Sequence, residues 1–229
     1  MIFLRDKLNF SAEESTNIYL DYLKFVGNEH IKTMSARGWD YAAIIKNADF
    51  KSSDIVLDIG CAASYFILYI DQFVGKAYGI DDIDNGGFAR FTKPWLETLV
   101  DFDNYKNGKV EIINQNAVVL PFPDNYFDKV FTTSVLEHFK GEDDRLCVKE
   151  IVRVLKVGGS FLGTVDYNPI TEYPVKGSMA RTYTYESFLR RILQPSGLTL
   201  KGKDFLKDIP IPLTYNEIAE ALFFHLEKK

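Results

Sequence analysis

Cysteine is scarce in this chain: only two occur, Cys61 and Cys147, far apart and in different settings. Two such residues build neither a disulfide framework nor a metal site with paired ligand spacing. They suit a reducing compartment, so a cytoplasmic protein is expected. Positive charge is also in deficit. Against 32 Asp and Glu stand 27 Lys and Arg, a formal net charge of −5, and no basic stripe is evident, which argues against nucleic acid as a partner. Long apolar runs are missing too. No stretch reaches the roughly 18 consecutive apolar residues of a membrane span, so no membrane partner is expected. The opening "MIFLRDKLNF" carries too much charge for a secretory leader. Internal repeats and low-complexity segments are absent.

What is present is a full apolar complement, 46% of the residues with 26% charged, the profile of a globular protein with a real core. A length of 229 residues suits one α/β domain with a small appendage. Residues 1–50 read as a helical N-terminal extension. "SAEESTNIYLDYLKFV" sets Ile18, Tyr22, Phe25 and Val26 at helical spacing behind Ser11 and Glu14, a capping-box pattern. "ARGWDYAAIIKNA" reads as a second helix. From residue 51 the period changes. "DIVLDIG", "GKAYGID", "KVEIINQ", "FDKVFTTS" and "GSFLGTVDY" read as strands. Between them lie the helical "ASYFILYIDQFV" and "GEDDRLCVKEIVRVLK", the latter with Leu146, Val148, Ile151, Val154 and Leu155 on its apolar face. Such alternation means a mostly parallel sheet with helices on both faces, over residues 51–229. In the tail, "TYTYESFLRRILQPSG" reads as a helix capped by Thr184 and ended by Gly197, and "LTLKGKDFL" as a strand. "KDIPIPL" is at most an edge strand, because two prolines confine it. "TYNEIAEALFFHLEKK" is expected to close the chain as a helix.

Glycine is missing where a nucleotide loop would want it. The first strand runs into "GCAASY", with one glycine of the three that a dinucleotide loop uses to approach a pyrophosphate; Ala62 and Ser64 hold the other places. The phosphate loop G-x-x-x-x-G-K-[ST] is absent altogether. The next strand nevertheless ends in Asp81 followed by Asp82, where an acid accepts from both hydroxyls of a ribose. A nucleoside cofactor without a phosphate to cradle reconciles the two observations.

Four blocks in series resemble the class I S-adenosylmethionine-dependent methyltransferases, in particular the small-molecule branch with an "LPFPDNSFD…VLEH" signature. "VLDIGCAAS" is similar to that family's first motif and "AYGIDD" to its second; "NQNAVVLPFPDNYFDKVFTTSVLEHF" and "KEIVRVLKVGGSFLGTV" resemble the next two. The resemblance covers about residues 52–166. It implies a Rossmann-like sheet, S-adenosyl-L-methionine as cofactor and a small-molecule acceptor. It also implies roles: Asp58, Gly60, Cys61 and Ala62 at the methionine end, Asp81 and Asp82 at the ribose, Asn116 and Ala117 beside the adenine, and the backbone of Thr133 near the donated methyl. Asn116 stands where the family more often shows Asp, which weakens that contact in charge but keeps it polar.

Other positions rest on their place after strand ends. His138, following Glu137, is a candidate base, and equally a hydrogen-bonding prop. Asp166, Tyr167 and Arg181 are candidates for the acceptor site, and Tyr19, Tyr22 and Trp39 for aromatic walls of a lid formed by residues 1–50. Phe122 is a candidate neighbour of the adenine, while Phe127 reads as core. Two alternatives stay open: a module that binds the cofactor without catalysis, and a nicotinamide-dependent oxidoreductase, which shares the ribose acid but lacks its glycines here.

Overall fold

The computed structural model describes residues 2–4, 12–26, 38–61, 65–85, 110–172, 181–204 and 220–229. Its strands are β1 (Ile2–Leu4), β2 (Ile55–Ile59), β3 (Lys76–Asp81), β4 (Val110–Asn114), β5 (Phe127–Thr133), β6 (Leu155–Tyr167), β7 (Thr199–Leu200) and β8 (Glu220–Glu227). They form one sheet in the order β1-β8-β6-β5-β2-β3-β4, with β7 beside β8. The β2–β3, β3–β4, β2–β5 and β5–β6 pairs are parallel, whereas β8 runs antiparallel to β6, β1 and β7. This is a mixed, mostly parallel sheet of the Rossmann-like kind that the resemblance implied.

Strand alternation divides the core in two. Leu57 and Ile59 of β2, Val130 of β5 and Phe161 of β6 face one helical layer; Val56, Phe131 and Leu162 face the other. The first layer contains α4 (Asp143–Val154), with Cys147, Val148, Ile151 and Val154 buried. Leu146, expected on its apolar face, is 45% exposed. With it packs α5, a helical run made of Tyr185–Phe188, a π-helical stretch Leu189–Leu193 and Gln194–Ser196. Its ends are as expected: Thr184 forms a capping box with Ser187, and Gly197 closes it at φ 63°. The second layer holds α1 (Ala12–Val26), α2 (Gly38–Ala48) and the short α3 (Phe66–Ile70). Ala42, Ala43 and Ile44 of α2 are wholly buried, and the small residues let this helix lie close against the sheet.

The closing helix expected at "TYNEIAEALFFHLEKK" is corrected where the structure describes it: residues 220–227 are strand β8. Leu222, Phe223, Phe224 and Leu226 are all buried, split between the two core layers. A helix leaves one side in water, and the four apolar residues in a row, Ala221 to Phe224, would have wasted part of that side; a strand covered on both faces buries Leu222, Phe223 and Phe224. Ile2–Leu4 pairs with β8, so this part of the first fifty residues belongs to the sheet. The "LTLKGKDFL" strand is confined to Thr199–Leu200, and "KDIPIPL" and Ser11 lie outside the described residues.

The chain lays β3 and β4 on one side of β2 and then returns to place β5 on the other. The order therefore reverses at β2, and the crevice beyond its carboxyl end is where such sheets take ligands. Among the described residues no helix is long and apolar enough to cross a membrane.

Candidate functional site

The site is built on the turn after β2. Gly60 has φ 71°, a left-handed conformation that favours glycine. A Cβ there would also lie 2.5 Å from Cγ2 of Val135. The N–H groups of Gly60 and Cys61 donate to the carbonyl of Ile80, at 2.8 and 3.2 Å. These bonds tie the turn to the end of β3 and commit the Cys61 N–H to the fold, so only the rest of its backbone is left for a ligand. The Cys61 thiol in turn packs where Gly79 leaves room; a Cβ on Gly79 would sit 2.6 Å from Sγ. Ala62 and Ser64 lie outside the described residues.

Two carboxylates converge on this turn. Asp58, 3% exposed, has its carboxyl pushed well above the usual range by burial and then by the charge of Asp81. Burial and the same two acids push the Cys61 thiol up as well. Among the described residues no cation pairs with Asp58. Asp81 is the last residue of β3 rather than the first beyond it, in register with Asn114. Asp82 differs: its Oδ1 accepts from the backbone N–H of Asn85 at 3.0 Å, so it caps a turn. Beyond β4, Asn116 is exposed and its Oδ1 accepts from Val118 N–H at 3.0 Å, which turns its amide outward as the group still free to donate. Ala117 is buried next to it. Phe127 is core, as expected; Phe122 stacks on Tyr126 and meets Tyr78 edge-on.

The opposite wall is the loop after β5. Thr133 ends the strand with a buried hydroxyl that has no hydrogen-bond partner among the described residues. Ser134 follows at φ 52°, a conformation that costs a non-glycine residue energy and that concentrates at functional sites. A short 3-10 turn, Leu136–His138, then carries Glu137 and the half-buried His138. Asp166 donates its N–H to Glu137 Oε1 at 3.2 Å. Tyr167 is turned into the core on the α4 side, and Arg181 donates to the carbonyls of Phe139 and Gly141, at 3.3 and 3.0 Å. The structure thus brings Asp58, Gly60, Cys61 and Asp81 together, sets His138 and Asp166 on the neighbouring wall, and gives Tyr167 and Arg181 supporting positions.

Above the turn, α1 brings Tyr22. Its ring is 2% exposed, edge-on to Tyr41 at 5.0 Å and Tyr69 at 5.6 Å. Burial chiefly, and the nearby Tyr19, Tyr65 and Asp58, push its hydroxyl well above the ordinary phenol range. Trp39 is buried in the same layer, and Tyr19 is half-buried at its edge. Among the described residues no three His, Cys, Asp or Glu side chains converge as metal ligands. Nothing in the sequence singles out Ser134 or Val135, and the acidic run "GEDDR" that contains Asp144 reads simply as the charged first turn of a helix, whereas Asp144 is wholly buried. Asp144 carried a signal: it falls on the same helical face as Cys147, Val148 and Ile151, where a polar residue is out of place unless it has partners.

A turn with one left-handed glycine and an acid ending the next strand thus lie side by side where the strand order reverses. Residues 57–163 match the family described as a methyltransferase domain. An uncharacterized methyltransferase, YcgJ of Bacillus subtilis, is 32% identical over 162 residues, 70% of this chain and 56% of that protein. A ubiquinone/menaquinone biosynthesis C-methyltransferase, UbiE of Neisseria meningitidis, is 28% identical over 84% of this chain and 69% of its own length. The crystal structure of YcgJ superposes with a TM-score of 0.63, covering 82% of this chain and 98% of that one at 20% identity. Residues 57–163 thus match a methyltransferase domain, and the chain as a whole is similar to proteins named as methyltransferases. It spans little more than half the length of the first of these relatives.

Proposed function

We propose that the protein binds S-adenosyl-L-methionine across the carboxyl ends of β2 and β3 and catalyses transfer of its methyl group to a small organic acceptor. The observation that carries this reading is the pair of converging acids, Asp58 and Asp81, beside a turn with no phosphate-type glycines. A phosphate-bearing cofactor would be repelled there, whereas a cofactor with a sulfonium and an ammonium group is attracted. When bound, it supplies a methyl carbon already activated for in-line displacement.

The chain's own residues bind, align and exclude water. Gly60 allows close approach of the methionine portion, with Asp58, Cys61 and Ala62 around it. Asp81 accepts from the ribose hydroxyls, and Asp82 shapes the turn behind it. Asn116 and Ala117 border the adenine, and Thr133 stands near the methyl-donor end. His138 takes a proton where the acceptor is a hydroxyl; a carbon or nitrogen acceptor that is already nucleophilic needs only alignment. Asp166 faces the acceptor, with Tyr167 and Arg181 behind it. Within the first fifty residues α1 supplies the lid, with Tyr22 near Asp58. The net charge of −5 and two buried free cysteines fit a small-molecule enzyme of the cytoplasm.

Side-by-side calorimetric titrations with S-adenosylhomocysteine and NAD test the cofactor, and transfer of labelled methyl to a metabolite panel tests the activity. S-adenosylhomocysteine should bind and NAD should not. Preference for NAD would overturn the cofactor assignment, and binding without transfer to any acceptor would reduce the protein to a cofactor-binding module.

A further inference from the structure

Two local irregularities, far apart in sequence, meet at one buried cluster. The first is Ser134, left-handed at the end of β5. The second is the π-helical stretch Leu189–Leu193 inside α5, an irregularity frequent at functional positions. Between them lies Asp144, wholly buried in the first turn of α4. Arg191, on the π stretch, donates to both carboxylate oxygens of Asp144, Nε to Oδ2 at 2.8 Å and Nη2 to Oδ1 at 2.6 Å. It also donates to Glu142 Oε1 and to the carbonyl of Gly141. The Tyr183 hydroxyl lies 2.8 Å from Asp144 Oδ2 and 3.1 Å from the carbonyl oxygen of Leu136, one proton between two acceptors. Arg181 completes the cluster: its backbone N–H donates to the carbonyl of Glu137 at 2.8 Å, and its guanidinium holds Phe139 and Gly141.

The carbonyls of Leu136, Glu137, Phe139 and Gly141 are therefore each held by a residue from the segment 181–191. That loop begins at the strained Ser134, presses Val135 against the Gly60 turn and carries His138. A strained backbone persists only where its surroundings over-determine it. We propose that Tyr183, Asp144, Arg191 and Arg181 are positioning residues that hold the 134–141 loop in its strained form, so that Val135 closes the cofactor turn and His138 is set at the site. The four act through the loop, by the hydrogen bonds they make to its backbone and to one another. A bidentate Arg–carboxylate pair suits the task, because it fixes direction as well as distance. The inference rests on the cofactor reading above for its consequence, not for its geometry.

The test combines Tyr183→Phe, which removes one hydroxyl and keeps the ring, with Ser134→Gly, which removes the backbone strain at its source. Tyr183→Phe should weaken S-adenosylhomocysteine binding about tenfold, near 1.4 kcal/mol. Ser134→Gly added to it should bring the affinity back to within about threefold of the parent, a non-additive pairing expected only of coupled sites. The ring resonance of His138, assigned by its loss in His138→Gln, should shift and broaden in Tyr183→Phe and return in the double variant; this readout needs no ligand. Arg181→Gln, at a partly exposed side chain, takes the place of Tyr183→Phe if that variant does not fold. A fall in thermal stability with unchanged affinity and an unmoved His138 resonance would overturn the proposal, as would strictly additive losses. Failure of the parent protein to bind S-adenosylhomocysteine would count against the cofactor reading instead, and the resonance would still decide the loop.

Discussion

Asp54 and Asp58 lie four residues apart, one just before β2 and one near its carboxyl end, both buried, and the fold treats them in opposite ways. At the amino end, Asp54 pairs with the buried Lys129 of β5 and accepts from Lys51 N–H at 2.8 Å. Its backbone carbonyl takes the N–H groups of Gly75 and Lys76. Its charge is answered inside the protein. At the carboxyl end, Asp58 meets another acid, Asp81, and its proton affinity rises. Buried charge is costly unless it is paired. The same strand thus carries at one end an acid paired with a lysine and at the other an acid set beside a second acid.

The largest expected effect breaks the satisfied end. Asp54→Ala strands the Lys129 ammonium and should cost about 3–5 kcal/mol of stability in chemical denaturation; a change below about 1 kcal/mol would mean that the pair is not buried in solution. At the other end, Asp81→Ala should weaken S-adenosylhomocysteine binding roughly 30-fold or more, because it removes charge-assisted bonds worth about 2–4 kcal/mol. Asp82→Ala, whose carboxylate caps a turn, should cost less than about fivefold by the same affinity rule. Calorimetry on both variants ranks them, and the reverse order would move the ribose contact to Asp82.

The smallest effect sharpens the comparison through pH. The folded carboxyl of Asp58 titrates above its unfolded value of about 4. The folded state therefore holds this proton more tightly than the unfolded chain. The contribution of Asp58 to stability without ligand should fall as pH rises from about 4 through its raised folded value. Asp58→Asn should lack that slope and be the more stable protein at neutral pH, while binding cationic S-adenosylmethionine more weakly. Binding of the cation to the parent should release protons in the same window and strengthen with pH, which titrations in buffers of different ionisation enthalpy measure. Equal stability slopes for parent and variant would place the Asp58 carboxyl in water.

The five middle strands were legible because each is a short apolar run bounded by turns, with period-two alternation or full burial. The two that were missed, β1 and β8, owe their state to each other and to β6. Isolated, "EALFFHLE" is as acceptable a helix as a strand; edge pairing with Ile2–Leu4 and Ser160–Tyr167 decides it. In the site, Gly60 and Asp81 were legible from type and spacing. That the Cys61 N–H is spent on Ile80, that Asp82 turns to Asn85 and that Arg181 points at backbone carbonyls was not. Each is a choice of hydrogen-bond partner, and partners distant in sequence leave no mark in composition.

By itself the sequence determined the α/β alternation, the acid-ended strands around a single-glycine turn and the lack of any phosphate loop. Those features depend on side-chain size, charge and local period, which each residue carries with it. Only the tertiary structure decided that Asp58 and Asp81 converge, that Ser134 is held left-handed, and that Asp144 is gripped by Arg191 from the far side of the sheet's last crossover. Those depend on burial and on contacts between elements separated by 23 residues or more in the first case and 47 in the last, which exist only once the sheet has closed.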